Sequence, residues 1–229
     1  MPDSAKAELL RSLARLVRGL SALFWGIPLT LVVYVQTART NWLDALGWMA
    51  ALPAVIVTGI LFYGLSQLHY FQKQERVWIR SLDRAQILVF INLGLSPFLY
   101  WWNKMPSQTL FTTAVTVLAF SSIFFLYHLN HALQRLTAML PDETLRLETR
   151  LFTTLNRYIL ACIPVFVATY FLLVRFETLP SSLLPLLAHF EGYALWLLLF
   201  LLLMPLAMTM ALIWKIKEVL FHSVFDGSD

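Results

Sequence analysis

The distribution of charge constrains this chain more than any other feature, because six long stretches contain no Asp, Glu, Lys or Arg. A membrane-spanning helix needs about 20 mainly apolar residues, within a range of roughly 17–25, and each stretch meets that length. The stretches are 19–38, 45–72, 85–103, 105–134, 158–174 and 192–214. We therefore predict six transmembrane helices, near 18–37, 46–67, 86–103, 108–128, 156–175 and 193–214.

The composition agrees with a membrane protein. Apolar residues make up 59% of the 229 residues and charged residues 13%, whereas soluble domains average about 45–50% and 25%. A soluble fold of this size cannot enclose so much apolar surface in one core. We predict an all-α, polytopic integral membrane protein that forms a single membrane domain over residues 1–229, with membrane lipids as its first partners.

The lysines and arginines orient the predicted helices. If the six predicted helices cross the membrane in turn, fourteen of these basic residues fall on one side of the membrane and three on the other. Because basic residues accumulate on the cytoplasmic side, we predict that both termini are cytoplasmic, as in a bacterial inner (plasma) membrane protein. The fourteen are Lys6, Arg11, Arg15, Arg18, Lys73, Arg76, Arg80, Arg84, Arg135, Arg146, Arg150, Arg157, Lys215 and Lys217, and the three are Arg39, Lys104 and Arg175.

An internal repeat is indicated by residues 11–15 and 80–84, which both read Arg-Ser-Leu-x-Arg. Each precedes an apolar run interrupted by a proline, Pro28 or Pro97, and the arginines and prolines are shifted by the same 69 positions. Residues 146–150 form a looser third copy. Since each copy holds two helices, the copies run parallel. We predict three parallel hairpin-like repeats, about 5–70, 75–140 and 142–220.

The cytoplasmic lead-in of each repeat is predicted to be an amphipathic or projecting helix. Leu9–Leu20 and Glu75–Gln86 place leucines or a tryptophan opposite arginines. Such helices either lie at an anionic membrane surface or only provide the positive flanks that every multispanning protein needs. The helices that end near Leu140 and begin near Asp142 are expected to project on the order of 15–20 Å. The candidate membrane-surface contacts are Arg11, Arg15, Trp78, Arg80 and Arg84.

The predicted membrane interior contains no ionisable residue near its centre. Such residues mark ion paths and proton relays, so their absence argues against an ion-coupled transporter and against a hydrolytic intramembrane enzyme. Asn92 is the most costly polar residue at that depth, and we expect it to bond across helices, with a ligand role as the alternative. Asn92 and Thr30 form the candidate intramembrane polar site.

No catalytic, cofactor-binding or metal-binding residues are predicted. His128 and His131 have a spacing compatible with a metal, but no Glu-x-x-His pair accompanies them, and we interpret them as hydrated interfacial side chains. Cys162 is the single cysteine and is expected to be a buried small hydrophobe. No basic cluster suited to nucleic acid interrupts the apolar pattern, so nucleic-acid binding is not expected.

Two functions remain open at this point. The first is a non-catalytic membrane subunit or scaffold that associates with other membrane proteins or with copies of itself. It rests on the uncharged interior, the projecting helices and a small-residue face on the second helix, which lets helices approach closely. The alternative is a small transporter or binding protein for an apolar or amphipathic molecule, such as a lipid or quinone, with a site between the proline-containing helices.

Overall fold

A computed structural model describes residues 2–41, 44–72, 74–140, 143–175 and 184–225, and within these ranges the chain forms helices and short connections without any strand. Most of the long helices coincide with charge-free stretches because a backbone in hydrocarbon must satisfy its own hydrogen bonds. In chain order the elements are α1 (Pro2–Arg39), a 3-10 helix (Asp44–Ala51), α2 (Leu52–Leu68), α3 (Arg76–Leu95), α4 (Phe98–Lys104), α5 (Thr109–Ala138), α6 (Glu143–Arg175) and α7 (Leu184–Phe225).

Five segments of the described chain are long and apolar enough to cross a membrane, and α3 with α4 gives a sixth if that bent pair is one span. The prediction of a helical membrane protein is thereby confirmed. The predicted number of six spans is reached only when α3 and α4 are counted together as one bent span. The five segments are Leu10–Arg39, Ala45–Leu68, Thr109–Ala138, Arg146–Thr169 and Trp196–Phe221.

The third predicted span is broken at Pro97, where α3 and α4 meet at 40°. Proline has no N–H, so it cannot bond the carbonyl four residues earlier, and its ring clashes with the preceding turn. The Ser96 hydroxyl instead donates to Leu93 O at 3.1 Å, which satisfies the carbonyl that Pro97 leaves open. Pro28 and Pro164, by contrast, lie inside continuous helices.

The helices follow one another around a closed ring. The strongest contacts join α1 with α2 and α3 with α5; α6 packs against α5 and α7, and α7 returns to α1. We call the arginine-rich end the end of this ring at which α1, α3 and α6 begin and α2, α5 and α7 end. Arg15 lies 4.4 Å over the Tyr70 ring, in the connection that leads to α3, so the two lead-ins are at the same end.

The contact between α1 and α2 is the most extensive in the ring, and glycines line it. A Cβ atom added at Gly19 would stand 2.7 Å from the Gly64 carbonyl oxygen, and one added at Gly26 would stand 2.8 Å from Leu61. Without a hydrophobic force between helices in lipid, such small residues allow the close approach on which dispersion contacts depend. Gly59, also on α2, faces open space.

The hydrophobic core lies mainly at the arginine-rich end. There the lead-in leucines of α1 and the first turns of α3 pack against the ends of α2, α5 and α7. The lead-ins therefore continue as parts of α1 and α3, and their apolar faces pack within the bundle. Fully buried core residues at this end include Leu16, Leu20, Leu68, Trp78, Leu82, Leu133, Leu136 and Ile216.

Two sequence-based expectations are wrong. Trp78 does not contact the membrane surface, because its side chain is 0% exposed and its indole Nε1 donates to Phe71 O at 3.1 Å. Cys162 is exposed on α6 rather than buried.

Candidate functional site

A partly open cavity of about 350 Å³ lies inside the ring of helices. It is bordered by α1 to α7, on the side of the core that faces away from the arginine-rich end. Its wall is almost entirely apolar and includes no charged side chain among the lining residues. The volume falls in the lower part of the range typical of ligand pockets, roughly 300–1,000 Å³. Lining residues from the main walls are Ile27, Leu31, Leu61, Leu118, Leu126, Ile163, Val167, Leu202 and Leu206.

Thr30, Ser122 and Tyr34 bring hydroxyl groups to the wall, and the hydrogen of each is already committed. Thr30 Oγ1 donates to Gly26 O at 2.7 Å, and Ser122 Oγ donates to Leu118 O at 2.8 Å. Tyr34 Oη and Thr58 Oγ1 are 2.6 Å apart. Because the Thr58 hydroxyl donates to Ala54 O, the tyrosine is the donor in that pair. The remaining hydrogen-bonding capacity of all three hydroxyls is that of an acceptor.

Asn92 differs from these hydroxyl groups. It lines the cavity from α3, its side chain is buried, and its Oδ1 finds no hydrogen-bond partner among the described residues. The interhelical bond expected of it is therefore not made by this oxygen. An unpaired polar atom in an apolar interior is unfavourable by about 1–3 kcal/mol. Oδ1 is enclosed by the protein, whereas Nδ2 makes no hydrogen bond to the described residues and is not enclosed, so the polar atom that Asn92 offers to the cavity is its amide nitrogen.

The structure brings Thr30 and Asn92, the two candidate polar residues, to the wall of the same cavity. The candidate surface contacts are placed separately, at the arginine-rich end. Arg11, Arg80 and Arg84 are exposed there, whereas Trp78 belongs to the core. Arg15, also exposed, stacks on Tyr70.

A second polar group was missed by the sequence analysis and lies about one turn from the cavity, towards the arginine-rich end. Asn156 Nδ2 of α6 is 2.9 Å from Asn130 Oδ1 of α5, 3.0 Å from Thr209 Oγ1 of α7 and 3.1 Å from Pro205 O. Asn130 Nδ2 donates to Thr209 Oγ1 at 2.8 Å and to Leu126 O at 2.8 Å. We call these three side chains the asparagine network.

The asparagine network joins three helices next to the cavity. Its members are 0–1% exposed. Only the Asn156 Oδ1 atom of the network has no partner in the described chain. The sequence offered one sign of this network, because Asn130 and Asn156 lie in apolar helices. Both residues, however, lie at the ends of predicted spans, where an asparagine is more simply expected to contact water.

No metal centre is assembled in the part of the chain that the structure describes, since no group of three or more His, Cys, Asp or Glu side chains could hold an ion there. His128 and His131 lie at the arginine-rich end of α5. The side chains of His189 and His222 lie outside the described residues.

Comparisons with protein-family models, with curated proteins and with solved structures gave no significant match to this chain.

Proposed function

We propose that this protein binds an apolar or amphipathic molecule in the cavity between its helices. The observation that carries the proposal is the Asn92 side-chain amide, which lies in the wall of an otherwise apolar cavity and makes no hydrogen bond to the described residues. A ligand that accepts a hydrogen bond from the amide nitrogen would remove the cost of leaving it unpaired. The absence of charge among the lining residues disfavours an ionic ligand, whose desolvation would not be compensated.

The hydrogen-bond inventory narrows the ligand further. The wall offers acceptors at Thr30 and Tyr34, whose hydroxyl hydrogens are used within the protein, and two unpaired N–H donors on the Asn92 amide. A matching ligand therefore has a slender apolar body and one polar group that accepts from Asn92 Nδ2, such as a long-chain or isoprenoid alcohol, a quinol or a quinone. An alkane, which has no hydrogen-bonding group, matches less well.

The test compares three ligands that share one chain: 1-dodecanol, dodecyl methyl ether and dodecane. Ligand-induced stabilisation of the purified protein against thermal unfolding in detergent gives their relative affinities. An interhelical-type hydrogen bond in a membrane contributes about 0.6–1.7 kcal/mol, so the alcohol and the ether, which both accept, should each bind about threefold to eighteenfold more tightly than dodecane. In Asn92→Leu this preference should disappear.

Cavity-filling variants give the second arm. Ala119 lines the cavity, so Ala119→Phe should abolish binding of all three ligands. Ala207 is exposed on α7 and does not line it, so Ala207→Phe should bind them as the wild type does. Equal affinities for the alcohol and dodecane in the wild type, or unchanged binding in Ala119→Phe, would rule out this function.

A second candidate function, association with another membrane chain or with a second copy, is favoured by one face of α6. Leu151 is 75% exposed and Tyr158 69% exposed, with Leu147 and Leu155 on the same face. Leu147 lies roughly 15 Å along the helix from Arg157, towards the arginine-rich end. Exposed leucines so far from the charge-free stretch are not explained by lipid tails, and they suit a helical partner.

Cys162 makes self-association testable without mutation, because it is exposed and is the chain's single cysteine. It lies four residues after Tyr158 and thus on the same helical face. If two copies pair through α6, a short bismaleimide should link them in intact membranes, and Leu151→Glu should prevent the link. Absence of any cross-link, together with a monomeric mass in mild detergent, would remove self-association through α6.

We also propose the finer topology. Both termini are cytoplasmic, and the membrane is a bacterial inner membrane. The three helical hairpins are copies of one repeated unit. The protein has no catalytic activity. The excess of lysines and arginines at one end supports the orientation. The pairing of α1 with α2, α3 with α5, and α6 with α7 is consistent with the repeat. A green fluorescent protein fused after residue 229 should fluoresce; a fusion that is dark while its alkaline phosphatase counterpart is active would reverse the orientation.

A further inference from the structure

Basic side chains from three helices converge on the outward side of α5 near the arginine-rich end. Arg84 of α3 and Arg157 of α6 lie within electrostatic range of both His128 and His131. Arg135, one turn further along α5, acts on His131 as well. We call these five residues the basic cluster. It is separate from the cavity, since none of the five lines it.

No described carboxylate balances this cluster, since all the charged groups that act on the two imidazoles are basic. The nearby carboxylates have other partners. Asp83, the neighbour of Arg84, bonds His69 Nε2 at 2.9 Å. Glu148 of α6 pairs with Lys215 of α7. Concentrated positive charge without a counter-charge is unfavourable, and an anionic ligand would relieve it.

Arg157 is held in place rather than free in solvent. Its Nη2 donates to Tyr127 Oη at 3.0 Å, and its guanidinium lies 5.0 Å from the centre of the Tyr127 ring. The Tyr127 ring in turn contacts the His128 ring edge-on, at 5.5 Å between centroids. This stacking fixes the arginine beside the imidazole before any ligand arrives, which lowers the entropic cost of binding.

Arg157 Nε and His131 Nδ1 are enclosed by the protein without a partner in the described chain, so a ligand at the surface would contact the outer guanidinium nitrogens and the other ring nitrogen, Nε2. Arginine presents several N–H groups in a rigid fork that matches the oxygens of a phosphate. A neutral imidazole donates from one of its ring nitrogens. The cluster therefore combines hydrogen-bond donors with uncompensated positive charge on its arginines.

The helix surface next to the cluster is apolar. Ile87 follows Arg84 by three residues on α3, and Phe124 precedes His128 by four on α5, so each lies on the same helical face as its basic neighbour. Ile87 is 60% exposed and Phe124 50% exposed. Moving from the cluster towards the middle of the membrane, a bound molecule would meet first basic groups and then exposed apolar side chains.

From this juxtaposition we propose that the basic cluster binds the phosphate group of an anionic phospholipid, with Arg157 and His131 as donors and with acyl chains against Ile87 and Phe124. Basic pockets between transmembrane helices are a recognised way of holding lipid headgroups. A free phosphate ion would satisfy the same donors but would not use the apolar surface. The experiment below separates the two sources.

The test measures thermal unfolding of the full chain in a non-ionic detergent during titration with one of three probes. These are dioctanoyl-phosphatidylglycerol, dioctanoyl-phosphatidylcholine and sodium phosphate. The phosphatidylglycerol should raise the unfolding temperature at concentrations at least tenfold lower than either other probe. A response to phosphatidylcholine as strong as that to phosphatidylglycerol would overturn the proposal, and so would an equal response to sodium phosphate.

Three variants locate the effect. Arg157→Gln and His131→Gln should each weaken binding of phosphatidylglycerol about tenfold, as expected for loss of one charge-assisted hydrogen bond. Arg11→Gln removes the same charge as Arg157→Gln from an exposed lead-in position outside the cluster, and it should bind as the wild type does. If Arg157→Gln does not fold, His131→Gln alone decides. Equal weakening in Arg11→Gln would assign the effect to surface charge and overturn the site.

Discussion

Replacing Thr209 by valine tests whether the asparagine network holds α5, α6 and α7 together. Valine keeps the shape of the threonine but removes its hydroxyl. Thr209 Oγ1 accepts from Asn130 Nδ2 at 2.8 Å and from Asn156 Nδ2 at 3.0 Å, and it donates to Pro205 O at 2.7 Å. On a simple count of contacts, two interhelical hydrogen bonds would be lost.

The hydrogen count gives a smaller loss. The Asn156 amide has two hydrogens but three acceptors within 3.1 Å, so it stays fully bonded when Thr209 Oγ1 is removed. The two hydrogens of Asn130 go to Leu126 O and Thr209 Oγ1, and one of them becomes unpaired. The net loss is one interhelical hydrogen bond. In membranes such a bond contributes about 0.6 kcal/mol on average and about 1.7 at most.

We therefore expect Thr209→Val to lower the free energy of unfolding by about 0.6–1.7 kcal/mol, or the unfolding temperature by roughly 1–7 °C. Circular dichroism at 222 nm of the protein in detergent measures the shift. Thr116→Val is the matched control, because the Thr116 hydroxyl is exposed and donates only within its own helix, to Thr112 O. Thr209→Ser, which keeps the hydroxyl, should retain most of the stability.

Two outcomes would refute this reasoning. If Thr116→Val and Thr209→Val shift the unfolding temperature equally, the interhelical bonds of the network contribute nothing to stability. If Thr209→Val lowers the free energy of unfolding by more than about 2 kcal/mol, the loss exceeds one bond. Asn156 would then not be saturated by its other two acceptors.

Two further predictions concern helix packing and the bend. Gly19→Ala should destabilise the protein by about 1–3 kcal/mol, because the new Cβ would lie 2.7 Å from a main-chain oxygen of α2; Gly59→Ala, which meets open space, should be neutral or stabilising in the same unfolding assay. Ser96→Ala should cost about 1 kcal/mol by leaving Leu93 O without its hydroxyl donor. Pro97→Ala restores an N–H four residues after Leu93, so in that background Ser96→Ala should not lower the free energy of unfolding. An equal loss of stability in both backgrounds would show that the Ser96 hydroxyl does not replace the missing N–H.

The long helices could be read from the sequence because hydrocarbon leaves the backbone no other partner than itself, so a charge-free stretch of sufficient length must be helical. The bend at Pro97 could not. A proline frees a carbonyl wherever it occurs, and whether the helix breaks depends on which neighbouring groups re-satisfy that carbonyl. Pro28 and Pro164 have the same covalent constraint and remain inside continuous helices.

The rotation of each helix about its axis was the second feature that the sequence could not give. In water an apolar residue is expected to face the core, but in a bilayer the lipid is as apolar as the core. Ile163 and Val165 occupy the same charge-free stretch of α6, yet one is 3% and the other 65% exposed. The same ambiguity explains why Trp78 was expected at the membrane surface and Cys162 in the interior.

Polar residues indicate which side of a helix faces the protein, since a polar side chain in hydrocarbon needs a hydrogen-bond partner. The asparagine network fixes the facing of α5, α6 and α7, while the Thr30 hydroxyl lies 3.4 Å from Val57 O and so faces α1 towards α2. Asn92 also faces inward on α3, but there its side chain borders a cavity and its amide has no hydrogen-bond partner within the described chain. Both amide hydrogens of Asn130, by contrast, are bonded within the protein. This difference supports the proposal that a ligand in the cavity is the partner of Asn92.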